Sequence, residues 1–192
     1  MARSFSEHEK ETIRKKLMDA CKQSWTQYGY KKTSVDELCR LVGISKGAFY
    51  IFFESKESLF CEVLCSVQDQ IYEAASQIMD EHRDRNGAAK AIKMVYREYA
   101  NNHFLYDSTS TDFTILTNKL SPEQQEKISL SSAKSRLLFL EKPYLRLKID
   151  ADMAISVIYS LIMNVRISDT LPYNHAEVLD FMVDNLIGHI YE

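Results

Sequence analysis

Residues 33–59 read TSVDELCRLVGISKGAFYIFFESKESL, and this stretch sets the fold. Ser34 stands three residues before Glu37, the spacing of a capping box, and opens a helix whose inner face is Leu38, Leu41 and Val42. Gly43, within Val42-Gly43-Ile44, supplies a tight turn. Ser45 is the natural N-cap of the next helix, Lys46 to about Phe52, and Ser55 caps a third with Lys56 in its first turn. Two short helices about a glycine turn, braced by a longer helix before them, constitute a helix-turn-helix arrangement.

The brace lies just upstream. From about Ser6, apolar residues at Ile13, Leu17, Ala20, Cys21, Trp25 and Tyr28 fall at spacings of three and four and make one stripe. Arg14, Lys15, Lys16 and Lys22 stay outside it. Gly29 ends this helix where a positive φ is wanted.

The chemistry of the central stretch points to duplex DNA. A helix entering the major groove needs small or polar residues at its leading end, so that its backbone reaches base edges. Ser45, Lys46, Gly47 and Ala48 provide that end. Glycine inside a helix is unfavourable by roughly 1 kcal/mol, and close approach to DNA accounts for Gly47. Tyr50 reaches a phosphate with its hydroxyl or lays its ring on a thymine methyl. Thr33, Ser34, Lys56 and the amides that open the third helix suit phosphates.

The same segment resembles the DNA-binding region of the TetR family of bacterial transcriptional regulators. The resemblance runs without gaps through Ala20, Gly29, Thr33, Val35, Leu38, Gly43, Ile44, Ser45, Lys46, Gly47, Tyr50, Phe53, Lys56 and Leu59, about a quarter of the chain. Two positions depart from the family pattern. Phe52 stands where a polar residue, often His, is common and cannot donate to a phosphate; Ala48 replaces a more usual hydroxyl. Fewer direct hydrogen bonds to bases, and more dependence on DNA shape and backbone, are expected.

Charge agrees. The 192-residue chain has a formal net charge of -3, yet residues 1–57 hold eleven Lys/Arg against eight Asp/Glu. The remainder holds thirteen against nineteen, so a basic end sits on an acidic body. That distribution suits polyanion binding by the N-terminal part. With five glycines, three prolines and no alternating apolar runs, the expected fold is all-α, with about nine helices. Residues 1–55 are expected as the DNA-binding domain and 56–192 as a helical regulatory and dimerisation domain.

Beyond Ser55 a long helix carries Leu59, Phe60, Val63, Leu64, Val67, Ile71, Ala74, Ala75, Ile78 and Met79 to about His82. Asn86-Gly87 breaks the pattern, and residues 88–104 form the next helix. A polar stretch, Asp107 to Asp112, precedes a short helix with Phe113, Ile115, Leu116 and Leu120. Ser121-Pro122-Glu123-Gln124 combines a cap, a proline at the first position and a Gln at the capping-box position. That helix carries Ile128, Ala133, Leu137, Leu138 and Phe139 before Pro143. The helices at 151–168 and 175–191 are apolar on most of their circumference. A second copy of the chain is the natural cover, so a two-fold homodimer on a near-palindromic operator is expected, as the resemblance also implies.

The resemblance further implies a small-molecule effector. The candidate lining is Tyr72, Tyr96, Tyr99, His103, Phe104, Tyr106, Phe113 and Leu116, a set suited to an amphipathic or aromatic ligand. No metal-ligand spacing, nucleophile motif or phosphate loop appears, so neither an enzyme nor a bound cofactor or metal is expected. The alternative is a protein-binding adaptor of the same fold, for which apolar Ile51 and Phe52 are the clue. No run of 18 apolar residues and no signal-peptide core occur, so a cytoplasmic protein with no membrane partner and reduced cysteines is expected. Cys61 and Cys65 share a helix face, as a thiol switch or half of a soft-metal site would require. With no further ligand nearby, small buried apolar residues are the preferred reading.

Overall fold

A computed structural model describes residues 5–102 and 110–192; His103, Phe104 and Tyr106 therefore lie outside the described residues. The fold is all-α. Among the described residues there are nine α-helices and no strand, only an isolated bridge between Leu147 and Tyr191. The chain divides into two compact units. One holds residues up to Ser66 with the described part of 104–128, and the other holds 67–102 and 129–192.

In the first unit, α1 (Glu7–Lys32) is opened by a full capping box between Ser6 and Glu9. Gly29, at φ 80, interrupts it, and the last turn resumes at Tyr30. This break corrects the expected stripe. Tyr28 is exposed and Tyr30 is buried, because the glycine rotates the residues after it by more than a helical step. Trp25 and Tyr30 pack their rings on Phe60, at 4.7 and 5.0 Å between centroids. The helices α2 (Val35–Val42) and α3 (Lys46–Phe52) follow within the expected limits. On α2 the buried pair is Leu38 and Cys39, while Leu41 faces solvent; at 100° per residue the covered arc runs from Leu38 through half-buried Val42 to Cys39, and Leu41 lies 60° from Leu38 on the other side. The first part of α4 (Lys56–His82) and α6 (Thr111–Thr117) complete the unit's frame.

The Asp112 carboxylate of α6 closes the break in α1. It accepts from the backbone N–H of Tyr30 and, at 3.3 Å, from that of Lys31. The φ of 80 requires glycine here, and a Cβ at position 29 would stand 2.6 Å from the same carboxylate and displace it.

In the second unit, the rest of α4 is followed by α5 (Arg85–Asn101). The expected break at Asn86-Gly87 falls earlier. Arg83 takes φ 44, and Asp84 caps α5 by accepting from the N–H groups of Asn86 and Gly87. Gly87 is a packing residue: a Cβ there would lie 3.0 Å from His82 Cβ and 3.3 Å from the Met79 backbone. α7 (Pro122–Leu137) starts in the first unit, with the expected reciprocal cap between Ser121 and Gln124, and its residues from Ser129 on belong to the second. None of its sixteen residues is fully buried; Leu138 and Phe139, just past its end, are. α8 (Ala151–Met163) passes into a 3-10 segment over Asn164–Thr170, and α9 (His175–Ile190) ends the chain. Ala154, Ile158, Leu161 and Ile162 of α8 join Leu179, Val183, Ile187 and Ile190 of α9 in one core with Ala88, Ala91, Ile92 and Val95 of α5.

The outer faces of α8 and α9 are a different surface. Met153 (58% exposed), Tyr159, Ile167, Phe181 (71%) and Leu186 are open to solvent in the single chain. By length and a mean hydropathy of 1.2, Ala151–Thr170 would also suffice to cross a membrane.

Candidate nucleic-acid interface

The turn between α2 and α3 is built from backbone geometry. Gly43 adopts the left-handed conformation at φ 77, and the N–H groups of Gly43 and Ile44 both donate to the Cys39 carbonyl, at 2.9 and 3.0 Å. Each helix then starts on a serine. Ser34 Oγ accepts from the Glu37 N–H at 3.2 Å, and Ser45 Oγ accepts from the Ala48 N–H at 3.1 Å. Only Phe49 anchors α3 in the core; its ring packs on Phe53 at 5.8 Å. Consequently Ser45, Lys46, Gly47, Tyr50 and Ile51 face solvent, with Ala48 half-covered.

Gly47 is the informative member of this face. A Cβ added there would approach nothing closer than Ser45 Oγ at 4.0 Å. Among the described residues, no packing asks for a glycine at this helical position, in contrast to Gly29 and Gly87.

The cations are less free than the sequence suggests. Lys46 Nζ donates to Asp36 Oδ2 at 2.9 Å, and this hydrogen bond raises the lysine pKa above its ordinary value. Spacing gave no signal for Asp36, since it meets Lys46 only through the turn. Lys56 points inward, its ammonium donating to the Tyr30 carbonyl at 2.6 Å and lying 4.0 Å from the Tyr30 ring centroid. Burial pulls its pKa below the usual lysine range. Thr33 is also turned in, 1% exposed, with its hydroxyl donating to the Gly29 carbonyl at 2.8 Å. The structure thus places Thr33 and the Lys56 ammonium in the frame of the head and leaves Ser34, Ser45, Lys46, Gly47, Ala48 and Tyr50 on its open side. Phe52 has a structural use: its ring meets Phe5 at 5.9 Å, and its carbonyl accepts from Arg14 at 2.8 Å.

The described aromatic candidates fall in both units. Tyr72, Tyr96 and Tyr99 belong to the second unit, and Phe113 and Leu116 to the first. Tyr96 is fully buried, its hydroxyl 3.1 Å from His175 Nδ1. Tyr99 is half-buried, and desolvation raises its pKa. Lys134 Nζ sits over the Tyr72 ring at 4.0 Å. Among the described residues, no cluster of three or more His, Cys, Asp or Glu could hold a metal ion.

A glycine-turned pair of short helices, braced by a long one and presenting a small-residue helix end, defines the helix-turn-helix class of DNA-binding heads. Residues 17–63 match the family model described as bacterial regulatory proteins, tetR family. The HTH-type transcriptional regulator YhgD of Bacillus subtilis (strain 168), itself uncharacterised, is 38% identical over 68 residues, 35% of this chain and 36% of that protein. The chain thus spans about a third of the length of that relative. Two solved structures share the whole fold. A TetR/AcrR-family regulator from Thermobifida fusca has a TM-score of 0.69 at 18% identity, covering 92% of this chain and 96% of its own. FadR from Bacillus subtilis, in complex with stearoyl-CoA, has a TM-score of 0.66 at 16% identity over 92% and 98%. Residues 17–63 thus match the DNA-binding part of the tetR family of bacterial regulatory proteins, and the relative matched over that part is described as a transcriptional regulator.

Proposed function

We propose that this chain is a homodimeric, sequence-specific DNA-binding regulator, a repressor released from a near-palindromic operator by a small molecule. The observation that carries the reading is Gly47, a glycine in the open leading face of α3 with no neighbour among the described residues to explain it. Close approach of the α3 backbone to base edges supplies the reason. Ser34, Ser45, Lys46, Ala48 and Tyr50 surround it and are assigned to phosphates and bases. The backbone amides that open α4 add a phosphate site.

The dimer is supported by the exposed large apolar side chains of α8 and α9, which a second copy would cover. The same apolarity accounts for the membrane-like composition of Ala151–Thr170. Two heads then meet successive major grooves about 34–36 Å apart. The effector is assigned to the regulatory part, with Tyr72 and Tyr99 among its contacts. Tyr96, whose hydroxyl is already paired, serves as wall. The stearoyl-CoA of the B. subtilis FadR complex favours an amphipathic ligand with a long apolar portion.

Exposed Leu41 and Ile51 favour the second reading, an adaptor whose head binds protein. Selection of bound sequences from a random duplex pool, followed by titration at rising salt, separates the two. A regulator enriches a near-palindrome and loses affinity steeply with salt. An adaptor enriches nothing. Lys46→Ala or Tyr50→Ala should lower affinity for the selected site at least tenfold, about 1.4 kcal/mol, with the dimer intact; unchanged affinity would overturn the site assignment.

A further inference from the structure

The open side of α3 has a ridge, and its two members differ in kind. At about 100° per residue, Gly47 and Ile51 lie about 160° from Phe49, one on either side. They therefore stand together opposite the residue that anchors the helix. Phe49 is fully buried and Ile51 is 60% exposed, as that geometry requires. Lys46 and Tyr50 occupy one flank. There Lys46 Nζ donates to Asp36 Oδ2 at 2.9 Å, and the Tyr50 ring stands edge-on to Phe49 with 5.3 Å between centroids. Ala48 lies on the other flank, half-covered. A helical side chain leans toward the N-terminus and covers the turn before its own Cα. Ile51 thus leans along the ridge toward the turn of Gly47 without filling the space over that residue, where a Cβ would meet nothing closer than 4.0 Å.

We propose that Ile51 is a base-reading residue of α3, and that it reads thymine through the C5-methyl group in each operator half-site. This role rests on the DNA-binding reading of α3. When the backbone at Gly47 approaches base edges, the other member of the ridge enters the groove with it, because the two share one face of one helical turn. Isoleucine carries no donor or acceptor, so it cannot pair with the nitrogen and oxygen atoms that line the major groove. Over a guanine, adenine or cytosine edge it would strip water from those atoms and return no hydrogen bond, which is unfavourable.

Thymine is the one base that presents an apolar group there, its C5-methyl. Contact with it covers apolar surface that the free chain leaves open at Ile51. Lys46 and Tyr50, on the flank, face the phosphate wall of the groove, and the ridge faces its floor. The exposed isoleucine that suits a protein partner thereby gains a partner on DNA, and the half-site gains a base.

The test uses the full-length protein and the duplex enriched from a random pool. Each thymine of the half-site is replaced in turn, in both half-sites together, by deoxyuridine, which keeps the base pair and removes only the methyl group. Affinity is read by anisotropy. The wild type should lose about fourfold per half-site at one position, the effect of one buried methyl group. Ile51→Ala should bind the thymine duplex at least as weakly as the wild type binds the deoxyuridine duplex, and should no longer distinguish the two. Alanine is the better helix former, so weaker binding would not stem from loss of α3. Ile51→Val keeps a branched apolar side chain and should keep the preference.

A methyl effect that persists in Ile51→Ala would pass to Tyr50 and overturn the assignment. An enriched site indifferent to every deoxyuridine substitution would overturn it as well, while leaving the DNA-binding reading in place. A pool that enriches nothing would overturn both. Circular dichroism and thermal melting of each variant check that the fold is retained.

Discussion

Gly47 and Gly29 are both glycines of the reading head, and their surroundings separate their roles. Gly29 sits at φ 80 against a carboxylate, so it serves the fold. Gly47 has open space, so alanine there should favour the helix by up to ~1 kcal/mol and raise the melting temperature by a few degrees. The same methyl group would stand between α3 and the groove floor. Gly47→Ala should therefore bind the selected operator at least about tenfold more weakly while melting higher, a pairing checked by anisotropy and thermal denaturation. Lower stability with unchanged affinity would return Gly47 to a structural role. The identity of these glycines was legible in the sequence, but their division of labour was not. It depends on Asp112, 82 residues away in sequence from Tyr30, which no local pattern connects to Gly29.

At the scale of elements, sequence and structure agree wherever helix ends are set by their own residues. Ser6, Ser34, Ser45 and Ser121 each accept the N–H three positions on. The disagreement at α5 has a physical cause. Asn-Gly usually marks a turn, but Asp84 two residues earlier supplies a stronger acceptor and draws both residues into the first helical turn. Asp84→Ala should destabilise the protein by about 1 kcal/mol. Hydrogen bonds from the Gly87 N–H and from Asn86 hold the Asp84 carboxyl below its ordinary range. With the folded pKa below the unfolded value of roughly 3.9, its contribution is complete above that pH and is lost as pH falls through the folded value. Asp84→Asn keeps an acceptor without the charge, so its stability should vary less with pH below about 4 than the wild type, as read by denaturant titration at a series of pH values. On α2 periodicity alone allowed either flank of Leu38 to be covered, and the structure covers the Val42–Cys39 side and leaves Leu41 exposed.

For the whole molecule, the all-α class and the approximate limits of α4, α8 and α9 follow from periodicity, whereas the effector's location does not. Tyr72, Tyr96 and Tyr99 belong to the second unit and Phe113 and Leu116 to the first, and nearness in sequence does not specify a ligand's contacts. The dimer is the property of the whole that is most open to test. Phe181 is 71% exposed, on the side of α9 opposite Leu179, Val183 and Ile187, so a charged residue there leaves the core of one chain untouched. In a dimer built on α8 and α9 it would meet apolar surface from the second copy, where an unpaired carboxylate is strongly disfavoured. Phe181→Glu should thus sediment as a monomer with its helical content retained, while Phe181→Leu stays dimeric. Because the second head of a dimer binds at the effective concentration set by the first, its loss should weaken operator binding by about 10²–10⁴-fold. A Phe181→Glu protein that remains dimeric would place the two-fold axis elsewhere, and a monomer that binds the operator as tightly as the wild type would remove the need for a paired head.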